Sequence, residues 1–235
     1  MILSNAATVR RILIFLFSWE NRGKRNDQPI AADKTPSLLA GEDVSNQDRQ
    51  RWDEKYRRRE HTSEDPSSVV VSLDEILPRE GRALDVAGGS GRHAIWLAQR
   101  GLAVTLADIS PVAISVAQQR AEALHVKLAT VHMDLTQQPL PPGPWDLIVN
   151  VHYLWRPLFD QFPHQLALGG LLVFLQPTRS NLQRHAKPPE EYLLQDRELP
   201  SLVCGLEIIH FEEGWLDGGR HEALLVAKCS TLATP

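Results

Sequence analysis

The chain has 235 residues, 43% of them hydrophobic and 23% charged, with a formal net charge of -4. That length suits one domain plus an extension, and the composition excludes a wholly disordered chain and a membrane bundle. The acidic balance offers no positive field to a phosphate backbone or an anionic lipid surface, so neither nucleic acid nor membrane is expected as a partner.

From Met1 to Asn46 there is one short apolar run, Ile12 to Phe17, far below the roughly 20 residues of a spanning helix. The stretch from Asn21 to Ser37 is rich in Lys, Arg, Asn, Asp, Pro and Ser, and a flexible extension over residues 1–46 is expected ahead of a domain over residues 47–230. Arg10, Arg11, Arg22, Lys24 and Arg25 set against Glu20 also suit a targeting peptide or an interaction arm. Cys204 and Cys229 lie far apart and outside any CxxC spacing, which fits the reducing cytoplasm and gives no zinc site. A cytoplasmic location follows, with organellar targeting left open, and a monomer or weak homodimer is expected.

Between Asn46 and Arg59 the spacing becomes helical, and Trp52 and Tyr56 fall at i and i+4 on one face. The run Arg57-Arg58-Arg59 is flanked by Asp53, Glu54 and Glu60, the pattern of a solvated helix face. Strand-like segments follow at Ala83–Val86, Val104–Ala107, Leu128–His132, Leu147–Val151 and Leu171–Leu175. Helical patterns separate most of them, among them Ile95–Gln99 with its flanks and Pro111–Leu124, where Ser110 suits the N-cap and Pro111 the first turn. Leu206–Phe211 and Ala223–Lys228 read as strands joined by turn chemistry from Glu212 to Gly219. The expected fold is α/β: a Rossmann-like, mostly parallel seven-stranded sheet closed by a C-terminal antiparallel hairpin.

The most informative segment runs Ala83-Leu84-Asp85-Val86-Ala87-Gly88-Gly89-Ser90-Gly91-Arg92-His93-Ala94, a strand, a glycine-rich turn and a helix start. Its Gly89-Ser90-Gly91-Arg92-His93-Ala94 portion also satisfies the dinucleotide pattern, with Asp108 near the expected spacing, so an NAD(P)-dependent oxidoreductase stands as the alternative. Asp85 weighs against it, because a loop that accepts a pyrophosphate gains nothing from a carboxylate, whereas the ammonium and sulfonium of S-adenosylmethionine do. Asp108 ends the second strand, where a carboxylate can accept both ribose hydroxyls, and Asp134 follows the third, where it can accept an adenine amino group. Each taken singly also reads as a helix cap or a turn residue.

Together with Trp52-Asp53-Glu54-Lys55-Tyr56, Met133-Asp134 and Trp145-Asp146-Leu147-Ile148-Val149-Asn150, these elements resemble the class I methyltransferases, within them the small tellurite-resistance-like branch, over about Gln50 to Lys228. The resemblance implies S-adenosylmethionine as cofactor. It places Asp85, Ala87, Gly89 and Gly91 at the methionine end, Asp108 and Ile109 at ribose and adenine, Met133 and Asp134 at the adenine rim, and Asn150 nearest the sulfonium, with Trp52 and Tyr56 beside them. Ala87 stands where the usual pattern has glycine, a modest change provided its φ stays negative.

Methyl transfer by in-line displacement relies on alignment and desolvation, so a general base is optional. Asn150, His152, Tyr153 and Arg156 follow the fourth strand at its C-terminal end, where open α/β sheets place ligands. His152 suits a base near neutral pH, though it and Tyr153 equally suit packing under the next helix. Arg156 suits an anionic substrate or a pair with Asp160. Asn150-Val151-His152-Tyr153 resembles the Asn-Pro-Pro-Tyr motif of nitrogen methyltransferases but lacks both prolines, which favours a small acceptor: thiol, amine or oxyanion. The stretch Gln176–Leu199 is long enough for a lid or a plain insertion. No metal is expected, since no HxxxH or HExxH occurs. No Tyr-x-x-x-Lys supports a short-chain dehydrogenase, and a non-catalytic cofactor-binding module remains a third reading.

Overall fold

Short runs of Val, Leu, Ile and Ala between Gly and Pro breaks condense into one sheet, and the amphipathic segments between them cover its faces. The computed structural model describes residues 39–58, 60 and 63–231; the expected extension up to residue 38, with its apolar and basic runs, lies outside the described residues. The chain continues through α1 (Leu39–Arg57), α2 (Ser68–Val71), β1 (Arg82–Val86), α3 (Arg92–Gln99), β2 (Ala103–Asp108), α4 (Pro111–Ala123), β3 (Leu128–His132) and β4 (Trp145–Val151). After a 3₁₀ turn at Arg156–Leu158 come α5 (Phe162–Gln165), β5 (Leu166–Pro177), 3₁₀ turns at Arg179–Gln183 and Glu190–Tyr192, α6 (Leu199–Leu202), β6 (Glu207–Trp215) and β7 (His221–Lys228).

Several boundaries differ from the sequence expectation, β5 among them, which starts at Leu166 ahead of Leu171 and runs on to Pro177. Helix α1 starts at Leu39, ahead of Asn46. Strand β6 continues to Trp215, because pairing with β7 carries it through Glu212 and Glu213, and the hairpin turn is confined to residues 216–220. Ladder hydrogen bonding there outweighs a local composition that reads as turn.

The sheet order is β3-β2-β1-β4-β5-β7-β6. Strands β1 to β5 pair in parallel, and β7 runs antiparallel to both β5 and β6. The chain lays β2 and β3 outward on one side of β1 and then returns to place β4 on the other. That reversal opens a crevice at the carboxyl ends of β1 and β4, the standard ligand position in open α/β sheets.

Alternation along the strands divides the core. Leu84, Val86, Ile148, Leu172 and Phe174 face a layer containing Phe159 and Phe162, while Ala83, Leu147, Val149, Val173 and Leu175 face α2, α3 and α4 through Val70, Leu97 and Ile114. Each fully buried Leu, Ile or Phe contributes about 1.5–3 kcal/mol, so both faces hold the strand ends in place. No helix among the described residues is long and apolar enough to cross a membrane.

Candidate functional site

The crevice is a cavity of about 350 Å³. Its walls come from the glycine loop (Ala87 to Ser90), from Asp85, Asp108 and Ile109 at the ends of β1 and β2, from Arg92 and His93 at the start of α3, from Val151, His152 and Tyr153 after β4, from Trp52 and Tyr56 on α1, and from Arg220 before β7.

Two carboxylates hold the loop. Asp108, 6% exposed, accepts the N–H of Gly89 through Oδ2 and that of Ser110 through Oδ1, each at 2.8 Å; burial raises its pKa and these amides oppose the shift. Asp85, 1% exposed, accepts the Ala94 N–H in the first turn of α3 at 3.0 Å. Burial pushes its carboxyl up to about 7, against the smaller opposing effects of that bond and of Arg92. A cationic ligand group would relieve this charge, since a desolvated carboxylate gains most from a partner of opposite sign.

The glycines serve distinct purposes. Gly89 has φ +57°, and a Cβ there would collide with the Tyr56 hydroxyl, so the loop accommodates α1 through a left-handed glycine. At Gly91 (φ +80°) a Cβ would meet the Ala117 Cβ at 2.9 Å, and the glycine permits close packing of α3 on α4. Ala87 has φ +52°. The proviso that it stays on the negative side therefore fails, and this alanine carries left-handed strain of about 1–2 kcal/mol.

Helix α1 roofs the cavity. The Trp52 and Tyr56 rings lie 6.2 Å apart on the face predicted from their spacing, and burial together with Asp108 keeps the Tyr56 phenol protonated. Asp53, 2% exposed, fastens the helix by accepting the Ser110 hydroxyl at 2.6 Å. Ser110 in turn caps α4 by accepting the Ala113 N–H at 3.1 Å, as expected. Arg57 and Arg58 pair with acidic neighbours on α1, a solvated face.

Several anticipated residues lie elsewhere. Asp134 accepts the Thr136 N–H and hydroxyl at 2.8 and 2.7 Å and the Ser45 hydroxyl; it closes a turn and ties down α1, and it does not line the cavity. Met133 is buried in the core, its N–H donating to the Asp108 carbonyl at 3.0 Å. Arg156 forms a two-point pair with Glu198 at 2.7 and 2.8 Å, a partner 42 residues away in place of Asp160, and is outside the cavity. Asn150 is fully buried beside Val86, and among the described residues neither its Oδ1 nor its Nδ2 has a hydrogen-bond partner. From the expected lid, no residue of 176–199 lines the cavity; Tyr192 meets Arg51 of α1 instead.

Arg92, His93, Arg220 and Glu222 were not singled out from the sequence. His93 is buried, accepts the Ser67 N–H at 3.2 Å, and is held neutral with its pKa pulled down to about 3, first by burial and then by Arg92 and His152. Burial also lowers Arg92, and among the described residues neither Arg92 nor Arg220 makes an ion pair. Glu222, 2% exposed, lies between His221 and the apolar run Ala223 to Ala227 of β7, and a lone acid beside such a run is the signal that could have marked it. Among the described residues no group of His, Cys, Asp and Glu is arranged to hold a metal ion.

Residues 83–169 match a family described as methyltransferase domain. The chain is 30% identical over 142 residues to the release factor glutamine methyltransferase of Koribacter versatilis, covering 54% of this chain and 51% of that protein. It is 33% identical over 98 residues to the demethylmenaquinone methyltransferase of Thermus thermophilus, covering 41% and 43%. It thus spans about half the length of these curated relatives or less. Among solved structures, TehB from Haemophilus influenzae superposes with a TM-score of 0.60 at 18% identity, covering 75% of this chain and 66% of that one, which is a likeness of fold.

Proposed function

We propose, from the match of residues 83–169 to a methyltransferase domain family, that the protein binds S-adenosylmethionine in the α1-roofed cavity and transfers its methyl group to a small acceptor. One observation carries the choice of cofactor. The loop and α3 amides that a dinucleotide fold would offer to a pyrophosphate are engaged by acids here: Gly89 N–H by Asp108 and Ala94 N–H by Asp85. A site lined by these two carboxylates repels phosphate and suits an uncharged ribose and a cationic methionine end.

In this reading Asp85 meets the donor's ammonium, Arg92 its carboxylate, Asp108 the ribose hydroxyls, Ile109 the adenine, and Trp52 and Tyr56 exclude water. When bound, the cofactor supplies an electrophilic methyl on a sulfonium. Ala87 and Gly89 shape the loop, Gly91 seats α3, and Asn150 offers its unpartnered amide beneath. Met133 and Asp134 act through the backbone that shapes the adenine rim. The small acceptor enters beside His152, Tyr153 and Arg220. The catalytic unit runs over residues 47–230, with the first turns of α1 ahead of it. A protein acceptor is the second reading, favoured by the relative named for a release factor.

Calorimetric titration with S-adenosylmethionine, NAD and NADP tests the cofactor: micromolar binding of the first alone, lost in Asp85→Ala and Asp108→Ala, is expected. Binding of NAD in its place would return the oxidoreductase, and binding without transfer to any acceptor the non-catalytic module. Radiolabel transfer to a panel of thiols, amines and oxyanions, with bulk protein and nucleic acid in parallel, tests the acceptor; label appearing only in protein would replace the small-molecule assignment.

A further inference from the structure

Methyl transfer to an acceptor that starts out protonated needs a destination for the proton, and this inference rests on the methyltransferase reading above. We propose that His152 receives that proton at Nδ1, and that Glu222 is the positioning residue that holds His152 in the tautomer able to do so.

The His152 Nε2 lies 2.7 Å from the Glu222 Oε1. The Glu222 side chain is 3% exposed and that of His152 26%. A carboxylate has no proton to give, so Nε2 carries the N–H and donates, and in the neutral ring Nδ1 keeps its lone pair. The backbone sets this up. At His152 the chain leaves β4 with φ +63°, its N–H donating to the Leu175 carbonyl at 2.9 Å, and the ring joins the cavity wall with Asp85 and Arg92. Glu222 arrives from 70 residues later, because β7 runs antiparallel to β5 with Glu222 opposite Pro177.

The neighbouring cavity histidine, His93, already accepts the Ser67 N–H at 3.2 Å, which leaves His152 as the free ring acceptor there. Among the described residues Glu222 makes no ion pair with Arg or Lys, so its charge is available to an imidazolium at His152. In the step, the acceptor heteroatom bonds to the methyl carbon, the carbon–sulfur bond breaks with its electron pair left on sulfur, and the acceptor's proton passes to Nδ1. An acceptor that is already an anion needs no such base. A thiol, with a pKa of about 8.5, is the acid best matched to an imidazole, so the acceptor class is a small thiol.

The test uses the full chain with ¹⁵N-labelled histidine, with and without S-adenosylhomocysteine, and the His152 signals are assigned by their loss in His152→Gln. The Nε2–H tautomer is expected in the native protein and in Glu222→Gln, whose side-chain carbonyl still accepts, and a tautomer mixture in Glu222→Leu. With S-adenosylmethionine and 2-mercaptoethanol, dithiothreitol or 1-propanethiol, all protonated at neutral pH, Glu222→Leu and His152→Gln should lower kcat by about 100-fold or more while leaving S-adenosylmethionine affinity near native, and Glu222→Gln should regain most of the rate. An Nδ1–H tautomer in the native protein, an unchanged kcat in Glu222→Leu, or no methylation of any of the three thiols overturns the proposal. Failure to bind S-adenosylmethionine would instead sink the methyltransferase reading, and the tautomer measured without ligand tells the two failures apart.

Discussion

The Asp108 carboxylate accepts the N–H of Gly89 at 2.8 Å while also accepting that of Ser110, so one side chain at the end of β2 fastens the loop after β1 to the start of α4. Asp108→Ala leaves two buried amides without acceptors, at about 1–3 kcal/mol each. A loss of about 2–4 kcal/mol in urea unfolding is expected, with at least a tenfold weaker S-adenosylmethionine Kd by calorimetry.

Asp85 titrates within the working range. Its folded-state pKa stands near 7 against an ordinary 3.8, so its contribution to the stability of the ligand-free protein is fully present below the lower value and is lost as pH rises through the upper one. Asp85→Asn should accordingly unfold at higher urea than the native protein above that window, by about 1–3 kcal/mol, while losing S-adenosylmethionine. In the native protein, affinity should fall by up to about tenfold per pH unit below the midpoint, as the ammonium's partner is protonated.

Ala87 holds a left-handed conformation at φ +52°. Ala87→Gly removes the steric cost, and a gain of about 1 kcal/mol in unfolding free energy, with cofactor affinity equal or tighter, is the expected result. A loss of stability would show that the alanine methyl makes contacts worth more than the strain.

His93 carries the opposite pH dependence from Asp85. Its pKa is depressed from 6.5 to about 3, so its contribution is present above the upper value and is lost as pH falls towards the lower. His93→Gln, whose carbonyl can still accept the Ser67 N–H, should flatten the decline of stability across that window, read from urea midpoints at several pH values.

Asn150 buries an amide with no hydrogen-bond partner among the described residues, an arrangement that costs about 1–3 kcal/mol. Asn150→Leu should raise the thermal midpoint of the ligand-free protein and lower kcat by about tenfold or more. A more stable variant with native turnover would assign the amide no part in the reaction.

Much of this was legible in the chain itself. The seven strands, the Ser110 cap, the pairing of Trp52 with Tyr56 on one face, and the loop with Asp85 and Asp108 beside it all follow from spacings of two, three or four residues, where side-chain direction is fixed by the local backbone. Asp134 was harder, since its reach to Thr136 is the turn chemistry that any Asp can adopt, and local preference decided it.

The order of elements, the glycine loop and the acids that end the strands can be read along the chain, because each depends on neighbours within a helical turn. The pairing of Arg156 with Glu198, the anchoring of α1 by Asp53 to Ser110, and the meeting of Glu222 with His152 emerge only in the folded chain. These partners lie 42, 57 and 70 residues apart, and they meet through the packing of whole elements: for the last pair, β7 returns antiparallel beside β5, two places from β4. Pairing at that range is selected by the burial and hydrogen bonding of the whole sheet, which no local spacing encodes.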